Sequence, residues 1–157
     1  IIRPPLIYGP NVKANFHNLI RLISTSLPLP LAKAYNKRSL ISINNLVDVV
    51  SKCIDNPVAT GKTFMVSDDR DLSVSELIRL ISNAMGIRLY LFPIPIPLLR
   101  GIGYVLGKSK MMERLTSSME LNINRTKEQL NWHPPFSVEE GIKETVDAYL
   151  KNSKTKS

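Results

Sequence analysis

The sequence predicts an α/β fold, because strand-like segments alternate with amphipathic helical segments along most of its 157 residues. SLISI at 39–43 and KTFMVS at 62–67 have the residue types and length of short strands. Ser73 and Glu76 stand at the spacing of a capping box, which marks the start of a helix. No internal repeat interrupts this order, and the length fits one ordinary domain.

The first predicted helix follows the opening segment. Apolar residues recur at helical spacing over 16–26, and Asn15 stands where an N-cap is expected. The next segment, LPLPLA at 27–32, is too rich in proline for a central strand and fits an edge strand or an extended arm.

The remaining elements alternate in the same way beyond the strand at 39–43. They are a helix over 45–56 that Pro57 ends, a strand over 62–67, a helix that Ser73 opens and Gly86 closes, a strand over 87–92, and a last helix opened by a second capping box of Ser137 and Glu140.

Composition excludes several classes of protein. The chain is 43% hydrophobic and 22% charged, which is typical of a globular domain. A single cysteine, Cys53, rules out an internal disulfide framework and favours a reducing, cytoplasmic setting. Its place in a helical pattern predicts that it is a small buried hydrophobic residue. The longest apolar run, 89–99, is short and broken by three prolines, so no membrane span is expected.

The net charge of +8 does not indicate nucleic-acid binding. The basic residues are scattered, are densest in the tail, and do not interleave with aromatic residues as a base-stacking surface requires. A positively charged pocket for an anionic small ligand is the better interpretation.

No metal site is expected. His17 and His133 have no second ligand at metal spacing. Asp68, Asp69 and Asp71 form a turn cluster that lacks the glycine and the final glutamate of an EF-hand loop.

Six segments in order resemble the C-terminal half of the extended short-chain dehydrogenase/reductases, in the family of NAD-dependent epimerases and dehydratases. The segments are RPPLIYGP, ANF, KRSLISINNLVD, GKTFMVSD, DLSVSELI and NRTKEQLNWHPPFSVEEGI. The resemblance is nearest to bacterial UDP-sugar 4-epimerases. It implies the C-terminal portion of a Rossmann-like fold, mainly its substrate-binding domain, without the N-terminal dinucleotide-binding half and the catalytic pair.

This resemblance divides the chain into three parts. Residues 1–14 match the last strand and loop of the dinucleotide-binding core, 15–150 match the substrate-binding region, and 151–157 form a disordered basic tail. It implies a parent that is a homodimeric UDP-hexose 4-epimerase, with NAD held mainly by the other half and this part alone inactive. A dehydratase or reductase of the same superfamily, or a noncatalytic binding domain, remains the alternative.

Two arginines are expected to bind the diphosphate of the substrate. Arg38 and Arg114 match the family's two diphosphate-binding arginines, and a guanidinium fork suits paired phosphate oxygens. Asn15 and Phe16 match the pair that contacts the nucleotide at the head of a helix. The structural alternatives are ordinary surface ion pairs for the two arginines, a helix cap for Asn15 and a core aromatic for Phe16.

Three prolines complete the site that the resemblance implies. Pro28 and Pro30 match an extended segment along the uracil, and Pro5 matches a backbone position beside the nicotinamide. A purely structural role is the alternative for each. Leu6 departs from the family, where many members have an asparagine that bonds the substrate, and this predicts a more apolar sugar pocket.

Two apparent motifs are rejected. Tyr104 and Lys108 have the spacing of the catalytic pair, but they lie about a hundred residues after the place where the family has it. Gly101, Gly103 and Gly107 imitate a dinucleotide turn, but they follow a proline-broken segment rather than a buried strand.

Overall fold

The computed structural model describes residues 1–95, 97–98, 101, 104, 107 and 118–154. Its strands are β1 (Ile2–Arg3), β2 (Leu6–Tyr8), β3 (Lys37–Arg38), β4 (Leu40–Ser42), β5 (Phe64–Met65) and β6 (Leu72–Ser73). Its helices are α1 (Ala14–Ser24), α2 (Ile43–Ile54), α3 (Val74–Ala84), α4 (Asn124–Leu130) and α5 (Val138–Lys154), with a 3-10 turn at Pro57–Ala59. This alternation of strands and helices confirms the predicted α/β class.

The strands pair two by two. β1 runs parallel to β5 with Ile2 opposite Phe64, and β2 runs parallel to β4 with Leu6 opposite Leu40. β3 pairs antiparallel with β6. Because the carboxyl ends of parallel strands meet at one edge, the segments after β2 and β4 lie side by side, and this edge positions the polar site described below.

One hydrophobic core lies between α1, α3 and α5, and it also contains Tyr8 of β2 and the arm at 29–34. Its fully buried members include Tyr8, Phe16, Ile20, Ile23, Ile78, Ile81 and Val146. The apolar residues of each helix repeat every three or four positions, so each helix turns one face to this core.

A second core lies under α2. Its buried members are Ile41, Val49, Phe64, Val66, Ile123, Leu130 and Trp132. Trp132 is buried, and its indole N–H donates to Asp48 at 2.7 Å. Cys53 is half-buried at the edge of this core, and burial raises the pKa of its thiol.

Capping explains where two helices begin. The Ser73 side chain accepts from the Glu76 N–H at 3.2 Å and the Glu76 carboxylate accepts from the Ser73 N–H at 2.8 Å, so this capping box is confirmed. The Ser42 side chain caps α2 in the same way by accepting from the Asn45 N–H at 3.2 Å. α2 therefore begins at Ile43, two residues earlier than predicted, and the strand before it is shorter.

The start of α1 differs from the prediction. Lys13, not Asn15, is the N-cap residue, with an extended backbone at φ −109° and ψ 179°, and no side chain caps the helix. The turn that precedes it, in which the Val12 N–H donates to the Gly9 carbonyl at 3.2 Å, leads the chain into the helix one residue before Asn15. Asn15 is therefore an exposed residue of the first helical turn.

The proline-rich arm is extended, as predicted. The Leu29 N–H donates to the Tyr90 carbonyl and the Phe92 N–H donates to the Leu29 carbonyl, both at 3.0 Å. The predicted strand over 87–92 is reduced to one parallel bridge between Leu29 and Leu91. Beyond this bridge the Ala32 N–H donates to the Phe92 carbonyl at 3.3 Å, which is one residue out of register with a continued parallel ladder.

The last helix is longer than predicted. The second capping box is confirmed, with the Glu140 carboxylate accepting from the Ser137 N–H at 2.8 Å. α5 then continues to Lys154, so the segment 151–154 is helical rather than disordered. It holds no glycine or proline, and lysines are favourable at a helix C-terminus. The rest of the expected tail, 155–157, lies outside the described residues, and the three-part division of the chain stays a prediction.

In the ranges that the structure describes, no helix is both long enough and apolar enough to span a membrane. α5 has 17 residues and carries acidic residues in its first turn.

Candidate functional site

A buried carboxylate joins the ends of the parallel strands. The Asp68 side chain accepts from the Tyr8 hydroxyl and from the Asn45 side-chain amide, each at 2.7 Å. The Ser42 N–H donates to both carboxylate oxygens at 3.0 and 3.2 Å. Tyr8 ends β2, Ser42 ends β4, and Asp68 follows β5, so one side chain links three chain segments at this edge.

The same network reaches the beginning of α5. Asn45 donates to the Phe136 carbonyl at 2.9 Å and accepts from the Phe136 N–H at 3.0 Å. Each polar group of the Asn45 side chain is thus paired, as a buried amide requires. Gly141 packs against Tyr8, since a Cβ added there would stand 2.8 Å from the phenolic oxygen.

Tyr8 is held in its protonated form. Burial, followed by the charge of Asp68 and the hydrogen bond to it, raises the pKa of the Tyr8 phenol well above its ordinary value. A phenol in this state donates a proton to a hydrogen bond and does not act as a base near neutral pH. Tyr8 is therefore a structural donor.

Tyr8 also supports the head of α1. Its ring stacks on that of Phe16, with centroids 5.5 Å apart and planes inclined by 14°. Phe16 is 1% exposed, so its ring is a core aromatic. The exposed Asn15 precedes it in the first turn, where no side chain caps the helix.

The arm brings Pro28 and Pro30 beside the same core. Pro28 is exposed and Pro30 is half-buried, while Leu29 and Leu31 belong to the cluster that contains Phe16. The structure therefore gathers Phe16 and the two prolines around one packed region.

Arg38 occupies a different position, between two extended segments. β3 pairs with β6 on one side, and on the other side Ser39 donates to the Met119 carbonyl while the Met119 N–H donates to Lys37, both at 2.9 Å. Arg38 is half-buried and has interactions within the protein. Arg114 lies outside the described residues, in the segment that leads to Met119.

Ser39 fixes that second segment. Its buried hydroxyl donates a short hydrogen bond to Asp71 and accepts from the Leu121 N–H at 2.7 Å. The segment at 118–121 is thereby tied to β3 by side-chain as well as backbone bonds.

The three aspartates that sequence grouped as one turn have separate roles. Asp68 holds the buried network, Asp71 bonds Ser39, and Asp69 pairs with Lys127 at 2.7 Å. The sequence contained a signal for the first: Asp68 follows a strand whose parallel neighbours end in Tyr8 and Ser42. Sequence analysis did not use it, because the three acidic residues were treated as one local cluster.

Pro5 and Leu6 lie at the beginning of β2. Pro5 is half-buried in the bend between β1 and β2, and Leu6 is 44% exposed on the strand. Pro5 thus lies in the bend before β2, whereas Arg38 lies in β3.

Nothing in the described ranges groups three or more histidine, cysteine, aspartate or glutamate side chains in a way that could hold a metal ion. His17 instead meets the ring of Tyr149 edge-on, with centroids 5.3 Å apart. Tyr104 is 80% exposed, and Gly103 and Lys108 lie outside the described residues.

Two cavities lie apart from the predicted substrate residues. One of about 320 Å³ lies between α1 and α5, lined by His17, Arg21, Thr145 and Asn152 among others. The other, of about 410 Å³, is mostly apolar and lies between β1 and the C-terminal end of α2.

Comparison with known proteins agrees with the resemblance seen in the motifs, although no protein-family model matches the chain. The UDP-glucose 4-epimerase of Vibrio cholerae is 45% identical over 152 residues, which are 96% of this chain and 46% of that protein. The N-acetyl-alpha-D-glucosaminyl-diphospho-ditrans,octacis-undecaprenol 4-epimerase of Escherichia coli O157:H7 is 24% identical over 98 residues, 62% of this chain and 30% of that protein. The chain thus spans less than half the length of these curated relatives.

Solved structures share the fold. The UDP-glucuronic acid 4-epimerase from Bacillus cereus, in complex with NAD, matches 97% of this chain and 44% of its own with a TM-score of 0.71 at 15% identity. The UDP-glucose 4-epimerase from Thermotoga maritima, with UDP-glucose, matches 97% of this chain and 46% of its own with a TM-score of 0.61 at 20% identity. The fold class and the C-terminal, partial match to epimerases and dehydratases are confirmed.

Proposed function

We propose that this chain, which belongs to the NAD-dependent epimerase/dehydratase family, binds the UDP moiety of a UDP-hexose as the substrate-binding part of a 4-epimerase. The 45% identity to a UDP-glucose 4-epimerase along 96% of the chain supports the choice of substrate class. The observation that carries the proposal is the backbone pairing of the Arg38 strand with Met119, which follows Arg114 by five residues in the sequence.

The proposed diphosphate grip uses these two arginines. A pyrophosphate offers several anionic oxygens, and each guanidinium can bond two of them in a fixed fork. Such bonds from remote parts of a substrate hold the reacting carbon in place. In this proposal, Arg38 and Arg114 supply the charge, and Ser39 holds the two segments together.

The head of α1 and the arm are proposed to hold the rest of the nucleotide. Backbone N–H groups of the first turn, at Asn15 and Phe16, suit an anion or a base edge because no side chain caps them. Pro28 and Pro30 keep the arm extended, so that its free backbone groups can follow the uracil. Leu6 is proposed to give the sugar an apolar wall, suited to an N-acetyl or deoxy sugar.

NAD, when bound, would accept the hydride in this family. The described residues do not form a full site for it: only Gly9 lies between a strand and the helix that follows, and one glycine cannot make a dinucleotide turn. Pro5 is the one residue proposed to face the nicotinamide. We therefore propose that NAD is bound mainly by the part of the relatives that this chain does not span. A homodimeric parent and a cytoplasmic setting belong to the same proposal.

Calorimetric titration of the chain with UDP, uridine and dTDP tests the substrate class. We expect UDP to bind at least tenfold more tightly than uridine, because uridine lacks the diphosphate. Equal affinity for UDP and uridine would contradict the diphosphate grip. Tighter binding of dTDP than of UDP would instead favour a dehydratase.

A further inference from the structure

The cavity of about 320 Å³ between α1 and α5 has the size of a small-molecule site. Its walls include His17, Ile20 and Arg21 of α1, and Thr145, Tyr149 and Asn152 of α5. Ile20 and Thr145 are buried, whereas the other four are exposed or half-buried, so the cavity opens to solvent. Ligand pockets measure about 300–1,000 Å³. The volume therefore suits a small ligand rather than a dinucleotide.

The charged groups around this cavity are basic. His17 and Arg21 are one helical turn apart on α1, and Lys13, at the beginning of the helix, precedes His17 by another turn. None of the described lining residues is acidic. The sequence over 1–47, which contains all of α1, has no aspartate or glutamate. The cavity therefore favours an anion.

The carboxylates of α5 do not neutralise this charge. Glu144 accepts from the Asn44 side chain at 2.7 Å. Asp147 is two positions from Tyr149, so it lies about 200° around the helix from that residue. Among the described residues, no carboxylate forms an ion pair with Arg21. Its guanidinium is therefore available to an anion from solution.

Neutral polar groups at the cavity are held in place. The Asn152 side-chain amide donates to the Asn11 side-chain oxygen at 2.8 Å, which ties the end of α5 to the loop before α1. This bond leaves the NH2 group of Asn11 able to donate to a ligand. The rings of His17 and Tyr149 meet edge-on and form one wall. The cavity thus combines fixed donors with apolar surface.

We propose that this cavity binds the phosphate monoester of a small organic molecule, either a hexose phosphate or a nucleoside monophosphate. A phosphate monoester has a charge of about −1.5 to −2 at pH 7 and three strong acceptor oxygens. The Arg21 guanidinium can bond two of these oxygens in its planar fork, and His17 and Asn11 can donate to the third. Ile20 and Tyr149 provide apolar surface for the organic part of the ligand.

This site is separate from the one proposed for UDP. Asn15 precedes His17 by two residues, so the two side chains lie about 200° apart around α1. Arg38 belongs to β3, which does not line the cavity among the described residues. Binding of a phosphate monoester between α1 and α5 therefore requires neither arginine of the proposed diphosphate grip.

Proton NMR of the histidine rings tests the site, because the chain has only two histidines, His17 and His133. His133→Gln identifies the signals of each ring. The chain is titrated with glucose 1-phosphate, UMP and inorganic phosphate, and with glucose and uridine as uncharged controls. We expect one of the two esters to shift the His17 signals and not those of His133, and the tighter ester identifies the source of the phosphate. Inorganic phosphate should bind about fivefold more weakly than that ester, because it leaves the apolar surface uncovered.

Arg21→Ala should weaken binding of the tighter ester roughly tenfold or more, since it removes the charge-assisted fork. Arg21→Lys should restore part of the affinity, because it keeps the charge. Arg79→Ala, which removes an exposed arginine from α3, is the matched control and should bind as wild type does. Circular dichroism checks that each variant is folded, and Arg21→Ala should keep its affinity for UDP.

The Arg38→Ala variant distinguishes the cavity from the proposed diphosphate site. It should bind the ester with wild-type affinity. Loss of ester binding in Arg38→Ala but not in Arg21→Ala would overturn the proposal, as would equal ester affinity in Arg21→Ala and Arg79→Ala. So would the absence of any His17 shift at millimolar ester, or inorganic phosphate that binds as tightly as both esters.

Discussion

The hydroxyl of Tyr8 donates a hydrogen bond of 2.7 Å to the carboxylate of Asp68, and both side chains are buried. The two residues are 60 positions apart in sequence and belong to different strand ends. Because the Tyr8 ring also stacks on Phe16, this bond connects the strand edge to the head of α1, where nucleotide binding is proposed. The stability of the fold and the shape of the proposed site thus depend on the same contact.

Removing this hydroxyl should destabilise the chain. Tyr8→Phe keeps the ring and its stacking but removes a hydrogen bond to a charged group, a change that costs about 1.5–3 kcal/mol. Urea unfolding followed by Trp132 fluorescence measures the loss. Tyr35→Phe is the control, because Tyr35 is 69% exposed and should change the free energy of unfolding by less than about 0.5 kcal/mol. Equal stability of the two variants would show that the buried bond contributes nothing.

Because of Tyr8, we also expect the free energy of unfolding to depend on pH in the alkaline range. The pKa of Tyr8 is raised in the folded state, so above about pH 10 the unfolded chain loses this proton while the folded chain keeps it. The stability that the protonated Tyr8 phenol gives to the folded chain is complete below about pH 10, and above that pH it declines by about 1.4 kcal/mol per pH unit. We expect the difference in stability between wild type and Tyr8→Phe to shrink between pH 10 and 11. A constant difference over that range would contradict the assignment.

Gly141→Ala should also destabilise the chain, although alanine is the better helix former by about 1 kcal/mol. The added Cβ would lie 2.8 Å from the Tyr8 oxygen and 3.1 Å from the Ser42 Cβ. Overpacking of this kind costs about 1–3 kcal/mol. In a double-mutant cycle, Tyr8→Phe should relieve part of the cost, because the atom in closest contact is gone. Additive losses would mean that the helix shifts without touching Tyr8.

Much of the fold could be predicted from local signals. The helix opened by Ser73 and the one opened by Ser137 were predicted because a capping box needs only residues three apart. Asn15 is not the cap because the turn at Gly9 sets the start of α1 two residues earlier than predicted, and that turn is not encoded in the helical pattern.

The buried network could not be predicted by the same means. Asp68 meets Tyr8 and Asn45 only because three strand ends converge, and such convergence depends on pairing between distant segments. Asp69 and Asp71 made the role of Asp68 harder to recognise, because they stand beside it in the sequence but have unrelated partners, Lys127 and Ser39. For Arg38 and Arg114, the resemblance to the family supplied the expectation of a shared diphosphate site, and that expectation stays a prediction.

Ser39→Ala should weaken UDP binding as well as stability. The change removes the hydroxyl that accepts from the Leu121 N–H, and it therefore loosens the segment at 118–121 beside Arg38. We expect a loss of about 1–3 kcal/mol in the free energy of unfolding, since the part-buried Leu121 N–H and the Asp71 carboxylate both lose a hydrogen-bond partner. Calorimetry below the melting temperature should show UDP affinity lowered severalfold. Ser51→Ala, at an exposed position, should change neither quantity.

The two arginines give the sharpest test of the proposed site. Arg38→Ala and Arg114→Ala should each lower UDP affinity by roughly one to two decades, because each removes charge-assisted hydrogen bonds worth about 1.5–3 kcal/mol. Lysine at either position should restore only part of the UDP affinity, since an ammonium keeps the charge but loses the planar fork. Arg79→Ala, which removes an exposed arginine from α3, is the matched control for the loss of net charge. Calorimetric titration with UDP measures the five single variants and the Arg38→Ala, Arg114→Ala double variant, and wild-type affinity in the folded double variant would remove the diphosphate assignment.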